Sequence, residues 1–451
     1  MSRLTLLATS AAVLTLAACG GNEALDPSAG FGPNPTLPAP TRSLFPTVNV
    51  ADAVGWPAGR TPVAAPGFRV QPFASGLDHP RWLYRLPNGD ILVAETNAPP
   101  KPENLDSKAE GGIRGWFQGL FMKKAGARVP SANRITLLRD ADGDGTAETK
   151  TAFLENLTSP FGMALVGDTL YVANADAVVA VPYQAGQTRI TATPRKIVDL
   201  PAQRNHHWTK SLVASADGSR LYVGVGSNSN IGENGLEEEA GRAAIWEIDP
   251  ATGAHRIYAS GLRNPVGLAW QPDSGKLWVS VNERDELGND LVPDYMTSVT
   301  PGAFYGWPWS YYGQIVDTRV EPPNPEMVAR ALKPDYALGS HTASLGLTFG
   351  EGPLFPAQYR GGAFVGQHGS WNRKPRNGYR VIFVPFASGA PAGPPQDILT
   401  GFINDQDEAM GRPVGVQFDR LGALLVADDV GNVIWRVSPA SAAPVAASAG
   451  S

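Results

Sequence analysis

The chain has 451 residues, a net charge of −5 and only 18% charged side chains. Its 50 glycines and 40 prolines are typical of many short strands joined by turns, and they argue against a helical bundle. Because there is no run of Lys and Arg, the composition predicts no binding to nucleic acid.

The first predicted element is an export signal. Arg3 precedes an apolar run, residues 4–18, that is too short for a membrane span. The run ends in LAAC, which matches the bacterial lipobox, and Cys19 is the only cysteine in the chain. A lone cysteine is more often a buried apolar residue, but this position favours lipidation. Residues 1–19 are therefore predicted to form a lipoprotein signal peptide, with acyl chains on Cys19 as the membrane anchor. By analogy with bacterial lipoproteins, Gly20 favours the periplasmic side of the outer membrane.

Two further segments have little pattern. Residues 20–62 are rich in Pro, Ala and Gly and predict a semi-rigid tether that lifts the domain off the membrane. Residues 439–451 predict a disordered tail. The folded domain is expected between them, over residues 63–438.

A repeated unit fills that domain. It consists of a polar turn followed by an apolar triplet, often preceded by a P-x-G-x leader such as SPFG, NPVG or RPVG. The last valine of the triplet recurs six times, at Val93, Val172, Val223, Val279, Val365 and Val426. Spacings of about 50 to 85 residues fit four-stranded blades with uneven insertions. The sequence predicts an all-β, six-bladed β-propeller of four-stranded antiparallel blades; another antiparallel β protein with similar turns is the alternative.

The leader positions carry the candidate chemistry. In a propeller, loops entering the innermost strands meet at one end of the central channel, so His207, Arg263 and Arg412 are expected to face one mouth. A neutral histidine there can accept a proton, and arginines can bind carboxylates through two hydrogen bonds. His206 and Lys210 lie beside His207 and are expected to orient it or to add positive charge. Each residue alone is more often structural, so their convergence carries the prediction.

Three loops could bind ions. The sequence RDADGDGTAE predicts a structural calcium site, although such loops also occur as empty turns, and its ligands would be Asp140, Asp142, Asp144 and Glu148. The stretch 281–295 has five carboxylates and is either a solvated loop or a source of ligands near the channel. The stretch 366–383 is cationic and aromatic, which suits a flat polyanion.

Together these segments resemble the glucose/sorbosone dehydrogenase family, whose members use pyrroloquinoline quinone (PQQ) on a six-bladed propeller. The likeness covers most of residues 65–438, and its best segments are HHWTKSLVASADG, GLRNPVGLAW, GAFYGWP and GRPVGVQFDRLGALLVADD. It is strongest toward the membrane-associated, sorbosone-dehydrogenase-like lipoprotein branch.

The resemblance implies roles for individual residues. His207 would be the catalytic base, and Arg263 would stabilise the charge that develops on a quinone oxygen. The expected cofactor contacts are Arg263, Asn264, Arg373, Lys374, Arg412 and Lys210. The expected ligands of a calcium ion at the cofactor are Glu283, Arg284, Asp290 and Tyr305.

The activity implied is PQQ-dependent oxidation of a sugar or sugar aldehyde, with calcium as a second cofactor. Electrons would pass to an external acceptor, a cytochrome or a quinone. Two alternatives stay open: a calcium-dependent lactonase or esterase on the same fold, in which a metal activates water, and a binding propeller without catalysis.

Overall fold

The computed structural model describes residues 24–41, 47–100 and 129–441. In chain order the first strands are β1 (Phe31–Gly32), β2 (Val63–Ala64), β3 (Phe68–Ser75), β4 (Pro80–Arg85), β5 (Ile91–Glu95), β6 (Arg134–Arg139), β7 (Thr149–Leu154), β8 (Met163–Val166), β9 (Thr169–Ala173), β10 (Ala177–Pro182), β11 (Arg195–Asp199), β12 (Leu212–Ala214), β13 (Leu221–Val225), β14 (Ala244–Ile248) and β15 (His255–Ser260).

The second half of the chain continues the pattern. Its strands are β16 (Asn264–Trp270), β17 (Leu277–Asn282), β18 (Pro293–Val299), β19 (Ala303–Phe304), β20 (Ser310–Tyr311), β21 (Ile315–Val316), β22 (Tyr336–Ser340), β23 (Ser344–Phe349), β24 (Ala363–Gln367), β25 (Arg380–Val384), β26 (Phe386–Ala387), β27 (Ala390–Pro391), β28 (Gln396–Thr400), β29 (Pro413–Phe418), β30 (Leu424–Asp428) and β31 (Val433–Pro439). Helix α1 (Pro325–Arg330) and 3₁₀ turns at Pro27–Gly30, Leu236–Glu239 and Ala357–Tyr359 are the helical elements of the described residues.

Six antiparallel sheets form a ring of blades. From the inside outwards, blade 1 is β4–β7, blade 2 is β8–β11 and blade 3 is β12–β15. Blade 4 is β16–β17–β18–β22, blade 5 is β23–β24–β25–β28, and blade 6 is β29–β30–β31–β3. The predicted six-bladed propeller is confirmed. Since β3 comes from the N-terminal side of the domain and pairs with β31 in the last blade, this pairing closes the ring.

The second strand of each blade explains the apolar triplets. It lies in the interior of its sheet, between the sheets of the two neighbouring blades, so both of its faces are covered and the strand is apolar throughout. The valine that ends each predicted triplet is completely buried in every blade, as Val93, Val172, Val223, Val279, Val365 and Val426 show.

The leader glycines lie where adjacent innermost strands touch. A Cβ on Gly267 would lie 2.6 Å from the Cβ of Leu347, and one on Gly415 would lie 2.7 Å from the carbonyl oxygen of Arg81. Both contacts are closer than any side chain tolerates. The glycine of the leader is therefore required because the inner strands crowd together around the channel.

The described parts of residues 20–62 differ from a free tether. Phe31 and Gly32 add a strand to the outer edge of blade 4. Immediately after this segment, Val63 and Ala64 add one to the outer edge of blade 5. The Trp56 ring packs edge-on against Trp435 with ring centroids 5.3 Å apart. Composition alone predicted a tether, but these backbone pairings and aromatic contacts attach the segment to the propeller.

No helix in the described ranges is long and apolar enough to cross a membrane. The predicted signal peptide and Cys19 lie outside the described residues, as does the predicted tail beyond Ser441.

Candidate active site

The candidate site lies at the end of the ring where the six innermost strands begin, here called the mouth. The second strand of each blade ends at the same side, because it runs antiparallel to the first. Five of the six histidines lie at this end: His79, His206, His207, His341 and His368. The sixth, His255, begins β15, the outermost of the four strands of blade 3.

His207 is held as a neutral proton acceptor. Its Nδ1 lies 2.9 Å from the carbonyl oxygen of Ser227, which requires an N–H at Nδ1 and leaves a lone pair on Nε2. No hydrogen-bond partner of Nε2 is found in the described part of the chain. Burial and then the positive charge of Arg263 hold the pKa of His207 well below 6.5. The ring is therefore unprotonated at neutral pH, as a general base must be.

Lys210 does not reach the mouth. It is completely buried, and its ammonium donates to the carbonyl oxygens of His207 and Trp208 at 3.2 and 3.0 Å and to Asn205 Oδ1 at 3.1 Å. These bonds bend the leader back on itself just before β12. Lys210 therefore lies under the His207 loop and holds that loop in place. It is not among the groups that could face a cofactor.

Arg263 is fully hydrogen-bonded by the protein. Its Nε donates to the Asn230 carbonyl oxygen at 3.1 Å, Nη1 donates to the carbonyl oxygens of Asn282 and Glu283 at 3.4 and 2.7 Å, and Nη2 donates to Asn230 Oδ1 at 3.0 Å. Asp285 Oδ2 lies 3.5 Å from Nη2. All five N–H groups thus face protein acceptors, and the guanidinium acts on His207 through its charge.

Asp285 joins Arg263 to a second histidine. Its Oδ1 lies 3.3 Å from His341 Nδ1 and accepts a hydrogen bond from Asn372 at 2.7 Å. Burial opposes ionisation, but the bond to His341 and the charge of Arg263 still lower the pKa of Asp285. Asp285 therefore forms an ion pair with the arginine beside His207, and the positive charge of that arginine still lowers the pKa of the histidine.

A different cluster occupies the opposite side of the mouth. Asp429 accepts from Arg81 Nη1 at 2.7 Å, lies 3.0 Å from His368 Nε2, and is 3.6 Å from His79 Nε2. Burial would raise the pKa of Asp429, but the two histidines and Arg81 lower it overall. Burial lowers the pKa of His368 to about 4, despite the carboxylate. One carboxylate and two neutral imidazoles are thus grouped with Arg81.

Arg412 lies next to this second cluster and keeps most of its hydrogen-bonding capacity. Its guanidinium lies over the Tyr379 ring at 5.4 Å, and within the described residues it donates one hydrogen bond, to the Ala51 carbonyl oxygen at 3.3 Å. The Nε atoms of Arg412 and Arg81 are both buried without a partner among the described residues. These two neighbouring cations therefore retain N–H groups for a ligand.

Other buried polar atoms at the mouth also lack partners in the described ranges: His79 Nε2, Asn264 Oδ1 and Asn372 Oδ1. Burying a polar group without a hydrogen bond costs about 1 to 3 kcal/mol, so clusters of such atoms point to a ligand. A planar trianion with an ortho-quinone, such as PQQ, would accept from the two arginines, and the amide oxygens, which accept, would face a donor such as its ring N–H. The residues of the mouth therefore fit PQQ.

The structure separates the other predicted cofactor and calcium residues. Arg373 is buried and donates to Asp290 at 2.8 Å, so these two predicted ligands pair with each other. Lys374, next to Arg373, is exposed. The Arg373 and Asp290 side chains thus form a loop contact at the rim of blades 4 and 5.

The remaining calcium candidates are also bonded elsewhere. Glu283 accepts from Arg284 Nε at 3.1 Å, and Arg284 reaches Asp317 at 3.2 Å beneath the segment that follows β19. The Tyr305 hydroxyl donates to the Ser298 carbonyl oxygen at 2.6 Å. Glu283, Arg284, Asp290 and Tyr305 are therefore not brought together as one ligand set.

The acidic hairpin loop does converge. Ligand atoms of Asp140, Asp142, Asp144 and Glu148 lie within 4.8 Å of one another, as predicted. Among the described residues this is the one group of three or more His, Asp or Glu side chains arranged in this way. The loop joins β6 to β7 at the end of blade 1 opposite the mouth, so an ion there would be structural.

Sequence reasoning missed Arg81, Asp285, His341 and Asp429. Arg81 had a usable signal, because HPRW occupies the leader position of its blade, as the segments with Arg263 and Arg412 do. Asp285 lay in the acidic stretch without any mark that distinguished it from its neighbours.

Comparison with known proteins agrees with this geometry. The TrAA12-like family model matches residues 131–300 and 321–440. The chain belongs to this family. The resemblance to PQQ-dependent sugar dehydrogenases noted in the sequence is thereby confirmed at family level.

Sequence relatives of this TrAA12-like chain include a bacterial and a fungal protein. A PQQ-dependent pyranose dehydrogenase of Coprinopsis cinerea is 24% identical over 433 residues, which cover 82% of this chain and 54% of the relative. An uncharacterized protein of Borreliella burgdorferi is 27% identical over 300 residues, covering 63% and 76%. The chain thus spans about half the length of the pyranose dehydrogenase.

Solved structures show the same fold. A Trichoderma reesei enzyme of carbohydrate-active family AA12 gives a TM-score of 0.67 at 20% identity, covering 89% of this chain and all of that one. The holo PQQ domain of the Coprinopsis cinerea pyranose dehydrogenase gives 0.65 at 21% identity, covering 86% of this chain and all of that domain.

Proposed function

We propose that the chain is a PQQ-dependent dehydrogenase that oxidises a sugar or sugar aldehyde. The observation that carries the proposal is that a neutral His207 shares one mouth with Arg81 and Arg412, whose buried Nε–H groups have no partner among the residues that the structure describes. Relatives named as PQQ-dependent pyranose and sugar dehydrogenases support it.

His207 is the base in this proposal. Its Nδ1–H donates to the Ser227 carbonyl oxygen, which holds the tautomer that presents the Nε2 lone pair. Nε2 accepts the hydroxyl proton of the substrate as the carbonyl forms. Arg263 keeps the ring unprotonated before the reaction, and the Asp285 carboxylate balances the charge of Arg263.

Arg81 and Arg412 hold the cofactor, with the amides of Asn264 and Asn372 as further contacts. PQQ supplies, when bound, a quinone that accepts the hydride equivalent released with that proton. His368 and His79 stay neutral beside Asp429, so they add hydrogen bonds without further positive charge. The proposal also includes calcium as a second cofactor and an external electron acceptor, a cytochrome or a quinone.

The proposed function includes export from the cytoplasm. The lipobox at Cys19 supports lipidation and attachment to the periplasmic side of a bacterial membrane, the outer membrane in view of Gly20. The sugar and the acceptor would then be met outside the cytoplasm.

A single titration tests the proposal. Apo protein with calcium is titrated with PQQ, binding is followed by absorbance, and an aldose is added to observe bleaching of the oxidised cofactor. We expect binding at micromolar PQQ and bleaching. Protein that binds no PQQ at that level, yet opens a lactone with calcium, would instead be the lactonase; protein that does neither would be a binding propeller.

A further inference from the structure

A short N-terminal segment lies against the mouth although it precedes the first blade. This segment, residues 49–56, is called the strap. The backbone N–H of Asn49 donates to the Trp371 carbonyl oxygen at 2.7 Å, and its side chain donates to the Arg373 carbonyl oxygen at 2.8 Å. Val54 and Ala409 are joined by a backbone hydrogen bond of 2.9 Å. The strap therefore crosses from the 370–376 loop to the loop that leads into blade 6.

The strap reaches Arg412 by two routes. The first is direct, because the Ala51 carbonyl oxygen accepts the hydrogen bond that the Arg412 guanidinium donates. The second runs through Asp428: Trp56 Nε1 donates to its Oδ2 at 2.7 Å, while the backbone N–H of Arg412 donates to its Oδ1 at 2.8 Å. The side chain and the backbone of Arg412 are thus both fixed by strap contacts.

The surroundings of Trp56 are shaped to admit its indole. A Cβ on Gly411 would lie 2.7 Å from Trp56 Nε1, and one on Gly431 would lie 2.6 Å from it. Trp435 Nε1 also donates to Asp428 Oδ2, at 3.0 Å. Asp428 is completely buried, so each N–H that it accepts compensates for the loss of water.

We propose that Trp56 is a positioning residue of the cofactor site: through Asp428 it fixes Arg412 so that the N–H groups of Arg412 without partners in the described residues face the mouth. This inference rests on the proposed function, because Arg412 is the cation assigned there to the cofactor. The strap is then a part of the site, supplied from outside the six blades.

The test compares Trp56→Phe with Trp270→Phe. Each change removes one indole N–H and keeps an aromatic ring. Trp270 Nε1 donates to the Ala214 carbonyl oxygen at 2.7 Å, and the residue is half-buried, as Trp56 is, at the end of β16 away from the mouth. Loss of stability alone should therefore be similar in the two variants.

Two readouts follow, and the first needs no cofactor. In the apo protein, amide hydrogen exchange at Arg412 should be about tenfold faster in Trp56→Phe than in wild type or Trp270→Phe, because Asp428 loses a donor that orients it. In the PQQ titration, the Kd of Trp56→Phe should rise about tenfold, with Trp270→Phe unchanged.

The outcomes separate the inference from the proposed function. Equal Arg412 exchange and equal Kd in the two variants would overturn the positioning role of Trp56 while leaving the dehydrogenase proposal intact. A wild type that binds no PQQ would overturn the latter, and the apo exchange would still show whether the strap orders Arg412. If Trp56→Phe fails to fold, wild type is compared with and without PQQ. Added protection of the Val54 and Ala409 amides then supports the inference, and its absence overturns it.

Discussion

The two sides of the mouth use their arginines in opposite ways. On the side of blades 3 and 4, all five N–H groups of Arg263 face protein acceptors, and Asp285 balances its charge. On the side of blades 5, 6 and 1, Arg81 and Arg412 lie close enough for their charges to interact, and both retain buried Nε–H groups without partners in the described residues. An arginine whose N–H groups all face protein acceptors can shift the pKa of a neighbouring group. An arginine with unused N–H donors can bind an anion. The difference assigns proton transfer to the first side and cofactor binding to the second.

The largest effect should come from the base itself. We expect His207→Ala to lower kcat by about 10² to 10⁴, because no other group would take the substrate proton. PQQ affinity should stay nearly unchanged, because the cofactor is held from the opposite side. Stopped-flow reduction of bound PQQ and a PQQ titration measure the two quantities. His206→Ala is the matched control and should retain most activity; equal losses in both variants would show that His207 is not the base.

A substitution on the second side of the mouth should weaken PQQ binding. Arg412→Gln should raise the PQQ Kd about 10- to 100-fold, because a charge-assisted hydrogen bond in a buried site is lost. Lys374→Gln, at an exposed neighbouring cation, should change the Kd by less than about twofold, since exposed charges are screened by solvent. Isothermal titration of the apo proteins measures both values. A larger effect at Lys374 than at Arg412 would show that Lys374, and not Arg412, binds the cofactor.

The propeller could be predicted because it repeats. Each blade has the same burial requirement, so six valines and three leader glycines indicate the same fold independently. A single contact between distant loops is not repeated along the sequence, so it cannot be predicted in this way. Arg373 and Asp290 are each plausible ligands by type, and only their 2.8 Å contact shows that they neutralise one another.

The leaders allowed His207, Arg263 and Arg412 to be placed at one mouth from sequence. The state of each side chain could not be predicted, because saturation of Arg263 depends on Asn230 and Asp285, which lie in other loops. The strap was missed for a related reason: a Pro- and Ala-rich segment has the composition of a linker, and docking depends on Trp56 and a few backbone hydrogen bonds.

The tuning role of Arg263 predicts a change in pH dependence. Burial and then the charge of Arg263 lower the pKa of His207, so wild type should stay active well below pH 6.5. Arg263→Gln removes a positive charge that disfavours the imidazolium, so the pKa of His207 rises and the acidic limb of kcat/KM moves up toward pH 6.5. Arg263→Lys keeps the charge and should leave the limb in place. A limb that does not move in Arg263→Gln would contradict the electrostatic coupling.

A smaller effect is expected from the acidic loop of blade 1, which lies far from both sides of the mouth. If Asp140, Asp142, Asp144 and Glu148 bind calcium, saturating Ca²⁺ should raise the Tm of apo protein by about 2 to 5 °C. Asp142→Asn should remove that shift and leave PQQ affinity unchanged. Scanning calorimetry with calcium or with chelator measures it. A wild-type Tm that does not change with calcium would show that the loop is an empty turn.

The smallest effect on the mouth should come from Cys19→Ser. The described fold begins at Ala24, and the chain between Cys19 and Ala24 can span at most about 18 Å. A lipidated Cys19 would therefore hold Leu25, which hydrogen-bonds to Asp290 at the rim of the mouth, near the membrane surface. Cys19→Ser should move the protein from the membrane pellet to the soluble fraction. The kcat toward a soluble dye should stay unchanged, because the substitution alters neither arginine cluster of the mouth. Gly20→Asp keeps the cysteine and should stay in the membrane fraction. Recovery of Cys19→Ser in the pellet would rule out lipidation as the anchor, and a lowered kcat would show that the anchor acts on the mouth itself.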